Sequence, residues 1–486
     1  MSNPEAPSIS NQVPPPTTPL SWRLAIAAGM IALALFAWFA QATIGSRGQA
    51  ACGVVCFIGL IAACSQNLRA VNWRTVLCGF AMQIGLALFI LKLAIPRSDG
   101  THWRPGFELF NFLGQIIKQF LEFAQAGASF IFGNLANQEA MNKVFPPAGG
   151  FVFAFTALPT IIFVSSFFTV LYYFGVLQFI VKVMARGMIY LLGTSGAETL
   201  SAVANVFMGQ TEAPLIVKPY VNKMTQSELL AMMVGGMATI SGGVMAIYIQ
   251  LGADPVAILA TSVMAAPCGL YLAKLLLPET ETPQTHGRAQ VANEKLHTNA
   301  IDAAAAGASD GLGLALNVAA MLIAFLAFIA LANALLGGIK PALLFAGLSA
   351  EGLAFWPDDL SLAKIFSWVF APIAFLMGAS SADQPYLADL LGTKLVANEF
   401  VSYVKLTTPA ESGGYHGLLS PRGHVLATYA LTGFANLSSI GIQLGGIGAI
   451  APDRRGDLAK LGGRTLLAGF VATLINASIA GMLMSD

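Results

Sequence analysis

Runs of about twenty apolar residues recur along the chain, and a run of that length crosses the hydrocarbon core of a bilayer as one helix. The first is 24–43; others lie near 50–66, 75–95, 150–175, 227–250, 255–277, 312–337, 423–450 and 462–484. Lipid offers no hydrogen bonds, so the backbone of each segment must satisfy itself internally, which helices do. A mean hydropathy of +0.70 over 486 residues leaves too much apolar surface for a soluble core to hide. The expectation is an all-α polytopic membrane protein with about nine spans.

Composition excludes several functions. The net charge is +1 and the longest basic run is Arg454-Arg455, which argues against a nucleic-acid partner and a polybasic lipid-binding patch. Cys52, Cys56, Cys64, Cys78 and Cys268 are odd in number and lie in or beside apolar runs, so neither a disulfide framework nor a zinc site is expected. The histidines all fall in polar stretches, away from any intramembrane relay.

Residues 1–21 are rich in proline and polar side chains and read as a disordered tail. Ala40-Gln41-Ala42 resembles a signal-peptidase site, but the apolar run before it exceeds a signal core, so 22–44 is read as a retained helix. Segment 106–125 gathers Glu108, Gln115, Lys118, Gln119 and Glu122 opposite a broad apolar stripe, the pattern of an interfacial amphipathic helix. Residues 278–311 form a polar linker.

Orientation follows from arginine and lysine in the short loops. One threading places Arg69 and Arg74, Lys182 and Arg186, and Arg454 to Arg464 all in the cytoplasm. It requires the segments around 190–220 and 365–405 to enter and leave on the same side. The N-terminus and the 278–311 loop are then cytoplasmic and the C-terminus outside.

Those two hairpins are unlike ordinary membrane helix. The first carries GQTEAP at 209–214 and the second GTKLVANEFVSY at 392–403. Each precedes a span rich in glycine and hydroxyl residues, GGMATISGG at 235–243 and GFANLSSIGIQLGG at 433–446. Such clusters suit a helix that unwinds within the membrane. The plan therefore occurs twice, with opposite orientation: an inverted-repeat transporter with two re-entrant helical hairpins and two interrupted helices, its site at the repeat interface. Residues 176–277 carry the first repeat and 339–486 the second, with 50–175 and 312–338 outside them.

An acid at mid-bilayer costs at least ~2.5–3.5 kcal/mol, so Glu212 and Glu399 need a protein, water or ligand partner. They either cap unwound helix ends or pair with Lys218 or Lys394, or accept hydrogen bonds from a polar, uncharged solute. Gln210, Asn436 and Ser439 supply further donors and acceptors for such a solute. Asn205 and Thr239, beside unwound carbonyls, make an oxygen cage of the sort that takes Na⁺; bonding to their own helix backbone is the competing reading. Gly445-Gly446 with Gly448 lacks the strand–turn–helix setting of a nucleotide loop. Ser438-Ser439 has no histidine base in its span, so an enzyme is not expected.

The stretches from Asn205 through GQTEAPLIVKPY to Tyr220, GTKLVANEFVSY at 392–403 and GFANLSSIGIQLGGIGAIAPDRR at 433–455 are together similar to the concentrative nucleoside transporter family, over about 50–486. The resemblance implies a homotrimer in the cell membrane, for a bacterial member the inner membrane, with no organic cofactor. It also implies that in each protomer a transport domain built from the two repeats moves against a scaffold, here 50–175 and 312–338, and imports nucleosides with Na⁺, or in some members H⁺. It implies that Gln210 and Glu212 bond the base, with Thr211 nearby or acting through water. Val244 and Phe434 give apolar contact, and Glu399, Asn436 and Ser439 hold the ribose. It further implies Na⁺ coordination by the side chains of Asn205 and Thr239 and the carbonyls of Met208 and Ile240. Thr239 stands where the family pattern has serine, keeping the hydroxyl, and Met208 is a substitution to which a carbonyl ligand is indifferent. The intact GQTEAP favours Na⁺ over H⁺. The competing readings are proton-coupled uptake and a passive nucleoside channel or sensor.

Overall fold

The computed structural model describes all residues except 1–16, 97–101, 146–151, 286–296, 350–352, 354–356, 358–359 and 485–486. Helices make up almost all of it, as the backbone argument requires. Most of the expected disordered tail lies outside the described residues, but its last part is ordered. Thr18 is buried: its Oγ1 donates to the Ser65 carbonyl (2.9 Å) and accepts from the Leu68 amide (3.0 Å). Helix α1 then starts at Leu20 (Leu20–Phe39). Residues 41–44, expected in that first helix, belong instead to α2 (Gln41–Ala63), which is broken at Gly45 by a φ of 61°. Helix α3 (Trp73–Leu91) follows, then a two-residue strand pair, β1 (Ile95–Pro96) with β2 (His102–Trp103).

The amphipathic helix is α4 (Pro105–Phe132), longer at its C-terminal end than expected because Ala124 and Ala128 continue the buried stripe. After α5 (Gln138–Val144), α6 (Phe153–Tyr173) and α7 (Val176–Leu192) comes the first hairpin. It consists of α8 (Gly196–Ala204), an irregular turn through GQTE, and the short α9 (Ala213–Ile216) and α10 (Lys218–Val221). The following span is interrupted as expected: α11 (Gln226–Ala238) stops at Thr239, which is extended, and α12 (Gly242–Gln250) restarts with Ser241 as its cap. Helix α13 (Pro255–Leu276) closes this repeat.

The polar linker is shorter than expected. Helix α14 (Ala300–Phe345) begins within 278–311, because Asn299 caps it and the alanine-rich turn after Asp302 is strongly helix-forming. The second repeat contains α15 (Leu362–Leu376), α16 (Gln384–Val396) and α17 (Glu399–Thr407). It ends with α18 (Pro421–Leu431), α19 (Leu437–Ile450) and α20 (Arg455–Leu483). The second interruption is narrower than 433–446. It covers Thr432 to Asn436, and the small residues after it are helical. Gly433 supplies the turn with φ 151°, and a Cβ there would meet the Met237 and Ala238 carbonyls at 3.0 and 3.1 Å. Gly446 is small for another reason: it lies directly under the Thr211 side chain, where the two repeats touch.

Eight helices among the described residues are long and apolar enough to cross a membrane. The further expected span, 423–450, is the pair α18–α19, each half too short by itself. The most apolar windows of α11–α12 and α13 are 89% buried and that of α20 78%, against 6% for α1 and α14. The three buried spans form the core, with α2 and α3 packed on α20 and α13. A buried network ties α3 to both: Gln83 Nε2 donates to Asn476 Oδ1 (2.6 Å) and Tyr271 Oη donates to Gln83 Oε1 (2.8 Å). Helix α6 packs chiefly on α14, with α4 and α12 at its flank.

Candidate functional site

The two interruptions meet. The Phe434 amide donates to the Thr239 carbonyl (3.1 Å), so the unwound turn of one repeat is hydrogen-bonded to that of the other. Four half-helices end around this point. Each presents backbone or capping side chains to a common centre, since a helix end leaves its last amides or carbonyls unpaired.

A chain of buried polar side chains crosses the junction. Glu399 is the first residue of α17 and is 5% exposed. Its Oε1 accepts from Tyr248 Oη (3.1 Å) and its Oε2 from Asn436 Nδ2 (2.8 Å). Asn436 caps α19, its Oδ1 accepting from the Ser439 amide (2.9 Å) and from Ser438 Oγ (2.7 Å). Ser439 Oγ in turn accepts from Gln210 Nε2 (3.2 Å) across the repeat interface. Gln210 Oε1 is buried without a partner, an open acceptor at the end of the chain. Val244 lies one turn before Tyr248 on α12, and partly buried Phe434 supplies the aromatic surface at the break.

Glu212 is not part of that chain. Its carboxylate accepts from the Gly209 amide (3.1 Å), capping the unwound turn as the structural alternative has it. It also faces a cavity of about 160 Å³ between the hairpin and the helices α6 and α14, together with Ser165, Thr169 and Asp310. Thr211 is half-buried against Gly446. The pairing of Glu399 with Lys394 does not occur: Lys394 bonds the Ala430 carbonyl and Thr473 instead.

The cage expected for Na⁺ can be tested atom by atom. Asn205 Nδ2 donates to the Ser201 carbonyl (2.9 Å), and Thr239 Oγ1 donates to the Gly235 carbonyl (2.9 Å). Both side chains therefore bond their own backbone, yet Asn205 Oδ1 is left buried and without a partner, as is Ser201 Oγ one turn earlier. Asn205, Thr239 and Ser201 are in the protein interior, as are Met208 and Ile240. A buried orphan oxygen is costly unless something supplies positive charge or a donor. The donor set is all oxygen, which suits a hard cation.

Sequence reasoning missed Tyr248 and Gln443. Tyr248 is the only hydroxyl within the run VMAIYI and sits at i+4 from Val244, which was the available signal. Gln443 stands at i+4 from Ser439; its Nε2 donates to the Met233 carbonyl (2.9 Å), and it flanks Gly236 opposite Gln210. Because Tyr248 donates to one carboxylate oxygen only, Tyr248→Phe should raise the half-saturating solute concentration by roughly 10–150-fold, consistent with ~1.5–3 kcal/mol for one bond to a charged group, and leave maximal uptake near normal. Equal half-saturation in variant and wild type would show that this oxygen does not report on the solute.

Three family models match in order. They are described as the N-terminus of Na⁺ dependent nucleoside transporters over 52–135, nucleoside recognition over 154–255, and the C-terminus of Na⁺ dependent nucleoside transporters over 257–481. An uncharacterized transporter of Haemophilus influenzae is 40% identical over 88% of this chain and 96% of its own length. Sodium/nucleoside cotransporter 1 of Mus musculus is 40% identical over 95% of this chain and 67% of its own. Among solved structures, CNTnw in an inward-facing, substrate-bound state superposes with a TM-score of 0.79 at 39% identity, covering 90% of this chain and 97% of that one. The fold, the meeting of two helix breaks and the matched models agree, and the chain belongs to the concentrative nucleoside transporter family.

Proposed function

We propose that the protein is a secondary active symporter that imports nucleosides against their gradient, coupled to Na⁺. The observation that carries this reading is the polar chain Tyr248–Glu399–Asn436–Ser439–Gln210 laid across two helix breaks. It presents a carboxylate, two amides and hydroxyls beside Phe434 and Val244. A nucleoside is neutral, flat on its apolar face and lined with donors and acceptors at its rim, and it matches such a set better than an ion or a lipid does. In this reading Glu399, Asn436 and Ser439 take the ribose hydroxyls, and Gln210 takes the base, with Thr211 and Glu212 at its edge. Asn205 and Thr239 hold Na⁺ by side-chain oxygens and Met208 and Ile240 by carbonyls. The bound cation supplies positive charge to oxygens that otherwise lack a partner, and the same hairpin carries Gln210 and Glu212, so ion and solute share one structural element.

The packing supports a division into moving and fixed parts that differs from the expectation for 50–175. The Gln83–Asn476–Tyr271 network binds α3, and with it α2, to the repeats. The scaffold is then α4, α6 and α14. The outer apolar face of α14, including Ile323, Phe328, Leu331 and Leu335, is exposed and available to lipid or to the other subunits of a trimer. Alternating access follows if the repeats with α2 and α3 move past α6 and α14. The proposed setting is a bacterial inner membrane, with the N-terminus cytoplasmic and the C-terminus outside.

The test is radiolabelled uridine uptake into proteoliposomes, with an inward Na⁺ gradient or choline in its place, each at two pH values. Accumulation above the external concentration that requires Na⁺ is the expected result and excludes a passive channel. Accumulation that follows the pH gradient and ignores Na⁺ would transfer coupling to a proton. Absence of uptake with uridine, adenosine and guanosine alike would overturn the nucleoside reading.

A further inference from the structure

Gln443 carries a buried oxygen that nothing among the described residues satisfies. The residue is fully buried on α19, and its Nε2 donates to the Met233 carbonyl (2.9 Å). A carbonyl only accepts, so the orientation of the amide is fixed and Oε1 faces away from α11. Gln210 Oε1 is likewise buried without a partner, its Nε2 donating to Ser439 Oγ (3.2 Å). Buried acceptors without donors are costly, and an apolar side chain at position 443 would avoid the cost.

The two carboxamides flank one glycine. A Cβ at Gly236 of α11 would meet Gln210 Cβ at 2.8 Å and Gln443 Nε2 at 3.0 Å. The buried residues of α19 recur at helical spacing, Ser439, Gln443 and Ile447. Ser439 meets Gln210, and Gly446 lies under Thr211. Gln443 stands between these two contacts, about 6 Å along the axis from Ser439, so the tip of the first hairpin passes over it. With the ribose hydroxyls on Glu399, Asn436 and Ser439, the base extends away from the second break, past Ser439 and toward Gln210 and Gln443.

Two open oxygens call for two donors. An exocyclic amino group, as on cytosine or adenine, carries two N–H bonds in one plane, one for each carboxamide. Uracil and hypoxanthine put a carbonyl oxygen in the same position, where it would face two oxygens with no hydrogen between them. Gln210 alone would take a single ring N–H as readily; the second oxygen makes the choice.

We propose that Gln443 is a specificity-determining residue that, with Gln210, takes the two N–H bonds of an exocyclic amino group, so that amino-bearing nucleosides are the favoured solutes. This rests on the reading of the protein as a nucleoside symporter. Cytidine is then preferred over uridine and adenosine over inosine, each pair differing by an amino group against a carbonyl.

The experiment measures initial rates of Na⁺-driven uptake into proteoliposomes against concentration for labelled cytidine, uridine, adenosine and inosine. Wild type is compared with Gln443→Met, which keeps the length of the side chain without its oxygen. The expected wild-type result is a half-saturating concentration for cytidine about tenfold or more below that for uridine, and for adenosine below inosine by a similar factor. In Gln443→Met both ratios should fall to about threefold or less. A residue that only packs α19 against α11 would change both members of a pair alike, so unchanged ratios in the variant overturn the proposal. A wild type that takes both members of each pair equally well overturns it whether or not the variant folds, and leaves the nucleoside reading standing. A wild type that accumulates none of the four refutes the nucleoside reading, and this proposal with it.

Discussion

Glu399→Gln is expected to reduce concentrative nucleoside uptake to about one hundredth of wild type or below, with the protein still assembling. The carboxylate accepts from two donors on two other helices, Tyr248 Oη and Asn436 Nδ2. Glutamine offers one acceptor oxygen and one NH₂ group, so one of these donors is left facing another donor. Each hydrogen bond to a charged group contributes about 1.5–3 kcal/mol, and the charge itself, proposed to hold ribose hydroxyls, is lost as well. One such protein bond and one bond to a ribose hydroxyl together correspond to about 3–6 kcal/mol, or a factor of roughly 10²–10⁴. Initial rates of uridine uptake at matched protein content, with size-exclusion elution as the control for assembly, decide it. Wild-type rates would remove Glu399 from the solute site.

The second large effect is expected on the ion side. Asn205→Ala removes the unpartnered Oδ1 and also the Nδ2 bond to the Ser201 carbonyl, which is local to α8. If that oxygen holds Na⁺, the loss is that of one contact to a charge, about 1.5–3 kcal/mol. The half-saturating Na⁺ concentration then rises by roughly 10–150-fold. Uptake at saturating Na⁺ should fall far less, because Glu399 and Asn436, proposed to hold the solute, keep their bond to each other. The measurement is the Na⁺ dependence of uptake at fixed nucleoside. An unchanged Na⁺ dependence with a reduced maximal rate would mean that Asn205 serves only to terminate α8.

The same contrast shows what was legible beforehand. Glu399 and Glu212 looked equivalent in the sequence, each an acid in a polar hairpin. In the fold they diverge: Glu399 joins Tyr248 and Asn436, whereas Glu212 caps its own turn and faces the cavity beside α6 and α14. Hydropathy reports that an acid is buried but not which partner lies 151 residues away. The interruptions were legible because glycine and hydroxyl clusters break helices locally. Their limits were not, since Gly235, Gly236 and Gly446 are helical and are small in order to admit Asn205, Gln210 and Thr211. Lys394 was a partner for the buried acids only in the structural alternative, and α16 turns its last residues toward α18 and α20.

By itself the sequence determined that the chain is a helical membrane protein with its polar residues concentrated at two hairpins and two breaks. That follows from local physics: apolar runs of bilayer length, and backbone groups that lipid cannot satisfy. Only the tertiary structure decided that the two breaks touch through Phe434 and Thr239, and that α3 belongs with α13 and α20. It also decided that Asn205 and Ser201 leave oxygens open while Lys394 turns to the Ala430 carbonyl and Thr473. These are long-range matches between donors and acceptors, and burial forces each one to be resolved by whatever group the packing brings near.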